Sequence, residues 1–250
     1  MWAVVEVTRS LPPPPQSEEE WLAHYDPDSF GRDHPSVAVD VVLLSLRDGQ
    51  LRVPVLRRLE HPDYGAWVLP GGFLRRDERV DHAAERVIRD KLGIAQRVSL
   101  DRLHFFDSVT RDARMRVLSM AYLGRLSAQY LPTQDGVRLL EAVMDGDKLR
   151  DVLGSGVRLG FDHEEILAEG IDAARHAAEV DLLWPLPMVS EGVFTVPDLA
   201  AAREALGLTM STDALRRRVV ADPRVSRADT TVSRGTGRRP PEGYRAAVSG

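Results

Sequence analysis

Cysteine is absent from the chain, which excludes disulfides, thiolate metal sites and cysteine nucleophiles. Lysine is nearly absent: Lys91 and Lys148 are the only two among 33 basic residues, and the rest are arginine. That bias is first a mark of a GC-rich genome. No apolar run approaches the roughly 18 residues of a membrane helix, and no charged n-region leads into an apolar core. These absences point to a cytoplasmic protein. What is present suits a folded chain: 250 residues, 43% hydrophobic and 28% charged, enough for one or two domains with a real core. The net charge of −5 is unevenly spread. Residues 211–250 hold nine arginines against Asp213, Asp222, Asp229 and Glu242, a local +5, so residues 1–210 carry −10. Such asymmetry between the parts of a chain hints at a segment that faces nucleic acid.

One further lack is specific. Gly72, Glu78 and Arg86 have the spacing of the Nudix box, G-x5-E-x7-R-E-U-x-E-E-x-G-U, and Ile88, Gly93 and Ile94 continue it. The three acidic positions that follow hold Val87, Asp90 and Lys91. Spaced i, i+3, i+4, they are expected on one helical face. Carboxylates there chelate the Mg²⁺ that diphosphate hydrolysis needs, because hard cations take anionic oxygen ligands. Valine offers no ligand, and lysine puts a positive charge where the metal would sit. Val80, Ala84 and Ile88, at i, i+4, i+8, are expected to pack the other face on a sheet. The pattern reads as a scaffold kept for binding, with no catalytic residue, no bound metal and no cofactor. The alternative is a hydrolase whose ligands have moved to Glu78, Glu85 and Asp90.

Along the chain, residues 1–35 read as an N-terminal arm. It has a short strand at Val4–Val7, a spacer at Pro12–Pro15 and a capping-box pattern at Ser17 and Glu20. Val37–Leu46 is an apolar strand turning at Arg47-Asp48-Gly49 into a second strand over Leu51–Arg57. Further strands are expected at Leu103–Ser108 and Arg116–Leu126. A helix follows from Glu164 to Val180, capped by Asp162 or His163, and Trp184–Pro187 marks a boundary. Beyond it, Thr195 caps a helix carrying Leu199, Ala202 and Leu206. Ser211 or Thr212 caps a second helix, in which Leu215 and Val219 are buried while Arg216 and Arg217 face outward. A hairpin from Val225–Thr231 to Gly243–Arg245, with Arg234, Arg238 and Arg239 in its loop, completes a winged helix-turn-helix outline. The expected fold is an α/β/α sandwich with a mixed sheet plus a smaller C-terminal winged helix. The expected domains are an arm (1–35), an effector-binding domain (36–160), a connecting helix and linker (161–188) and a DNA-binding domain (189–250).

In this order the chain resembles the Nudix-related transcriptional regulators of the NrtR family. The resemblance covers roughly residues 25–250. It rests on Tyr25-Asp26-Pro27, Leu69-Pro70-Gly71-Gly72-Phe73, Arg111-Asp112, Ser119–Leu123, Phe161-Asp162-His163, Leu215–Val219 and Gly237–Pro240. It implies a homodimer that represses NAD-metabolism genes and responds to ADP-ribose; some Nudix-like regulators serve sugar catabolism instead. The rival is a Nudix pyrophosphatase acting on ADP-ribose-like substrates with a basic docking tail, and a third reading is a nucleotide-binding scaffold without DNA affinity.

For the effector, a diphosphate bound without Mg²⁺ needs another counter-charge, and Lys91 with Arg57 or Arg58 is the candidate. Solvated helix residues are the alternative for Lys91 and Arg89. Arg86 is expected to brace the Nudix loop at the effector site. Trp67, Phe105 and Phe106 are candidates to stack a base, with core packing as the alternative. For DNA, arginine in the N-terminal half of a recognition helix grips guanine O6 and N7, which singles out Arg216, Arg217 and Arg218. Ser211 and Thr212 sit where a helix N-terminus meets a phosphate; Arg234, Arg238 and Arg239 would lie over the backbone or minor groove. Arg218 has a second option along the core edge, and His163 is expected to cap or pack its helix.

Overall fold

The long apolar run is the strand on which the architecture is built. In the computed structural model, which describes residues 34–145, 148–150, 158–190, 192–229 and 241–247, β1 spans Ser36–Arg47. It pairs in parallel with β6 (Val117–Arg125) and antiparallel with β2 (Gln50–Arg57). Two-residue closure at Asp48-Gly49 is possible because both take positive φ, 56° and 76°, the geometry of a tight hairpin turn. β3 (Trp67–Val68) pairs with β2, and β4 (Gly71–Phe73) pairs with the start of β1. β5 (Ser99–Phe106) is the edge strand beside β6. The short strands β3 and β4 were not anticipated, and neither were β7 (Val137–Asp145) against β2 and β8 (Lys148–Arg150) against β7.

Helices cover both sides of β1, so its apolar run needs no polar alternation. Val39, Val41 and Leu43 face α1 (Val80–Leu92), which buries Ala83, Ala84, Val87, Ile88 and Leu92. Val87 is therefore part of the buried stripe beside Gly72, while Asp90 and Lys91, further along the same side of the helix, are exposed; Val80 is only half-buried. On the other side, Val42 and Leu44 meet Ile166, Leu167, Ile171 and Ala174 of α2 (His163–Val180). Gly170 lets α2 come close: a Cβ there would lie 2.9 Å from Val42 Cγ2. Asp162 holds the N-cap position but makes no capping hydrogen bond, because its carboxylate is engaged by Arg111.

The C-terminal part follows the winged-helix outline. After α3 (Leu186–Val189) and β9 (Val193–Thr195) comes α4 (Val196–Ala205), opened by a capping box between Thr195 and Asp198. Then come α5 (Thr212–Ala221), β10 (Val225–Arg227) and β11 (Gly243–Ala246), in a small sheet ordered β10–β11–β9. Its core joins Phe194, Leu199, Leu215, Val219 and Tyr244. The described residues from Pro35 onward fall in one compact unit. Met188, Ala202 and Leu206 enter the same apolar cluster as Val42 and Leu44, so this part docks on the large sheet. The strand, spacer and helix expected before residue 34, Tyr25-Asp26-Pro27, and the hairpin loop with Arg234, Arg238 and Arg239 lie outside the described residues. Among those described, no helix is long and apolar enough to cross a membrane.

Gly170→Ala is expected to destabilise the chain by roughly 1–3 kcal/mol, since the added methyl overpacks a closed interface. Gly192→Ala, with nothing within 4 Å of the added atom, is the control; urea midpoints read the difference.

Candidate functional site

A cleft of about 180 Å³ opens where the start of β1, the loop after β2, the Gly71–Phe73 strand and the end of α1 meet. Its floor is a buried polar network. Asp40, the one acid in the apolar run of β1, is 5% exposed. Its Oδ2 accepts hydrogen bonds from Ser119 Oγ at 2.6 Å and Arg111 Nη2 at 3.0 Å. Arg111 also forks to both carboxylate oxygens of Asp162 at 2.8 Å. His163 Nδ1 accepts the backbone N–H of Leu69 at 2.9 Å, and its Nε2 lies 3.4 Å from Asp40 Oδ1. A ring nitrogen that accepts an N–H holds no proton, so the imidazole proton is on Nε2, facing Asp40. Burial pushes the Asp40 carboxyl up, but His163, Ser119 and Arg111 together outweigh it and lower it to about 2. Gly71 must be glycine here, because a Cβ would fall 2.0 Å from Asp40 Oδ1.

The walls carry charge and aromatic surface. Arg58 is aimed by the carbonyls of Pro62 and His61, with its guanidinium 4.9 Å from the Phe161 ring. Arg114 is forked by Asp112 and stands 5.6 Å from the Phe73 ring. Lys91 completes the lining. Loss of solvation in the cleft lowers its ammonium pKa, Asp40 opposes the shift and Arg58 adds to it. Neither Lys91 nor Arg58 has an ion-pair partner among the described residues.

Of the expected effector residues, then, Lys91 and Arg58 meet in this cleft and four others do not line it. Arg57, next to Arg58 on an extended segment, points to the opposite face and stacks 5.3 Å from Trp67. Trp67 is half-buried against the sheet core, with Arg138 5.9 Å from its ring. Arg86 is occupied by Glu78 at 2.6 and 2.8 Å and by the Phe73 carbonyl at 3.0 Å, which braces the loop from outside the cleft. Phe105 is on the edge strand and 46% exposed, while Phe106 is in the core. Sequence reasoning passed over Asp40, Arg114, Phe73 and Phe161 as cleft residues. An acid inside an apolar strand run was the available signal for Asp40.

Some 30 residues further on in the chain from α2, α5 presents the second surface. Ser211 Oγ accepts the Ala214 N–H at 3.3 Å, Leu215 and Val219 are buried, and Thr212, Arg216, Arg217 and Arg218 are exposed. Arg218 does not lie buried along the core edge. α2 joins the two regions. Its first turn holds the network under the cleft; at its other end Arg203 Nη1 donates to the Ala178 carbonyl and Asp181 pairs with Arg224 at 2.7 and 2.9 Å.

Residues 34–151 match the NUDIX domain family. Over 242 residues the chain is 26% identical to the "ADPR responsive transcriptional repressor NtrR" of Acinetobacter baylyi, covering 93% of this chain and 89% of that protein. The structure of Shewanella oneidensis NrtR complexed with a 27mer DNA matches with a TM-score of 0.68 at 26% identity, over 84% of this chain and 93% of that one. Over most of its length this chain is thus similar to the Nudix-related NrtR regulators, with the NUDIX match confined to residues 34–151. The NUDIX domain of the Shewanella NrtR has also been solved with ADP ribose, and matches with a TM-score of 0.50 at 27% identity, over 62% of this chain and 96% of that one. An ADP-ribose pyrophosphatase of Methanocaldococcus jannaschii is 29% identical over 136 residues, 54% of this chain and 73% of that one.

Against that enzyme relative, the donor set of this chain does not fit the Mg²⁺ of Nudix hydrolysis. Val87 is buried. Asp90 is paired with Arg89 at 3.1 Å. Glu78 is held by Arg86, whose hydrogen bonds lower its carboxyl to about 2. Glu85 faces a separate groove lined by Ile88 and Ile94. Among the described residues no three acids or histidines converge as a metal site.

Arg111→Met is expected to cost roughly 3–5 kcal/mol, because it leaves Asp40 and Asp162 buried without their counter-charge. The depressed pKa of Asp40 sets a pH window. Its contribution, about 2 kcal/mol, is present above the ordinary aspartate range and is lost as pH falls from about 4 toward 2. Denaturant melts of the wild type and Asp40→Asn should therefore converge over that interval and stay apart at neutral pH.

Proposed function

We propose that this protein is a DNA-binding transcriptional regulator, a repressor, whose Nudix cleft senses ADP-ribose or a closely related nucleotide. One observation carries the reading: an anion-seeking cleft and an outward arginine helix sit at opposite ends of α2 in one compact unit. The relatives support it, since the aligned Acinetobacter protein is an ADPR-responsive repressor and the Shewanella protein has been captured both with DNA and with ADP ribose. Residues 36–160 are the sensing domain, 161–188 the connection and 189–250 the DNA-binding domain. Arg216 and Arg217 enter the major groove, and Ser211 and Thr212 approach a phosphate at the start of α5. Arg218, Arg234, Arg238 and Arg239 supply further contacts.

Signal passes along α2. A ligand that shifts Asp40, Arg111 or His163 moves the first turn of the helix, and its last turn is tied to the winged helix through Arg203 and Arg224. Two copies bind two half-sites about one helical turn apart, so a small rotation of each winged helix changes operator affinity. The enzyme reading has one observation behind it, the identity with an ADP-ribose pyrophosphatase; the scattered carboxylates count against it. Mg²⁺-dependent release of AMP from ADP-ribose is expected to be absent.

Selection of fragmented genomic DNA at about 150 mM salt, with and without ADP-ribose, tests the proposal; salt is fixed because phosphate binding falls steeply with it. Enrichment of a two-fold symmetric site that ADP-ribose alters is the expected result. Arg216→Ala with Arg217→Ala should weaken binding to that site by about tenfold or more, at roughly 1–3 kcal/mol for each lost base contact, without changing the melting temperature. No enrichment under either condition would remove the regulator reading.

A further inference from the structure

Four arginine and lysine cations line the cleft beside Asp40, Glu60 and Asp112, and only two of the four are held in ion pairs. Arg111 is balanced by Asp40 and Asp162, and Arg114 by Asp112. Arg58 and Lys91 have no ion-pair partner among the described residues, although both stand close enough to act on each other electrostatically. Asp40 and Glu60 attract the Lys91 ammonium without forming an ion pair with it; in a partly desolvated cleft, an anion lodged between Lys91 and Arg58 gives both a direct partner and relieves their mutual repulsion. Arg58 is also held ready to receive an anion, because carbonyl acceptors at Pro62 and His61 and the Phe161 ring fix its guanidinium in place. Lys91 stands on the last turn of α1, at the position where the Nudix box of a hydrolase carries a metal-binding acid. The other box acids are unavailable: Val87 is buried, Asp90 faces Arg89 and Glu78 faces Arg86.

We infer that Arg58 and Lys91 form a metal-independent clamp for the diphosphate of the effector, with the Lys91 ammonium in place of the lost magnesium. This rests on the effector reading above and sharpens it in one respect. A hydrolase uses Mg²⁺ to bridge protein carboxylates and diphosphate, so the metal strengthens its grip. Here protein and Mg²⁺ both offer positive charge to the same oxygens and compete for them. The protein therefore responds to the metal-free fraction of its ligand. Phe73 and Phe161, each backed by a guanidinium, give the rest of the ligand two aromatic walls, and Glu60 on the rim is an acceptor for a ribose hydroxyl.

Calorimetric titration of the full chain with ADP-ribose, first in EDTA and then in millimolar Mg²⁺, decides the matter. Binding in EDTA, weakened by Mg²⁺, is the expected result. Lys91→Glu and Arg58→Ala should each lose about tenfold or more in EDTA, the worth of one charge-assisted contact. Lys91→Arg should restore most of the affinity, and in Lys91→Glu added Mg²⁺ should no longer weaken binding. A merely structural lysine would not reverse the effect of the metal. Lys91 is exposed, so its variants should melt like the wild type. Binding that requires Mg²⁺, or an unchanged Kd in Lys91→Glu, overturns the clamp and leaves the effector reading standing. If ADP-ribose fails but inorganic pyrophosphate binds in EDTA through Lys91, the clamp stands and ADP-ribose falls as the effector. If neither binds in EDTA, the clamp is overturned.

Discussion

Arg111 carries the constraint on which the rest of the molecule depends. Its guanidinium, 5% exposed, joins Asp40 on the central strand to Asp162 at the start of α2, from a loop between the edge strand and β6. Three charged side chains so deep in protein are tolerable only because each is satisfied by the others, by Ser119 and by His163. Removing any one leaves a bare charge, and the strand, the loop and the helix then lose their common anchor. Glycine at position 71 belongs to the same constraint, because the Asp40 carboxylate occupies the space a side chain would need.

Above this floor, the Nudix frame has kept its mechanical parts and changed its chemical ones. Glu78 and Arg86 still brace the glycine loop, Gly93 still ends α1 in a left-handed conformation, and the helix still packs its small residues on the sheet. The acidic face that would hold a metal is now valine, a surface aspartate and a lysine. Once Val87 faces the core it adds packing and withdraws from solvent, so the change stabilises the fold while removing a ligand. A cleft that holds two cations outside any ion pair offers direct positive charge where a hydrolase offers carboxylates.

The two working surfaces are far apart, and α2 spans them: eighteen residues make a rod of about 27 Å. Its glycine-to-valine contact with β1 fixes it against the sheet, its N-terminus is held by Arg111 and its C-terminus by Arg203 and Arg224. A rod pinned at both ends transmits displacement where a flexible linker would absorb it. Met188, Ala202 and Leu206 in the core of the large sheet make the same point: the C-terminal part is seated on that sheet.

The chain alone determined the local elements, because their signals are local. The apolar run of β1, the Asp48-Gly49 turn, the Gly72–Glu78–Arg86 frame, the Thr195 cap and the Leu215–Val219 stripe each lie within a few residues. Lys91 and Arg58 were legible as candidate cations for the same reason. β7 was not, since its mixed pattern acquires meaning only beside β2. Tertiary structure decided which arginine of the Arg57-Arg58 pair enters the cleft, and it covered Val87 while leaving Asp90 and Lys91 exposed. It also assembled the floor from residues 71 and 51 positions apart. No sequence window contains those contacts: they exist only after the sheet has brought distant strands together, and one-residue differences in facing then separate a ligand contact from a surface stack.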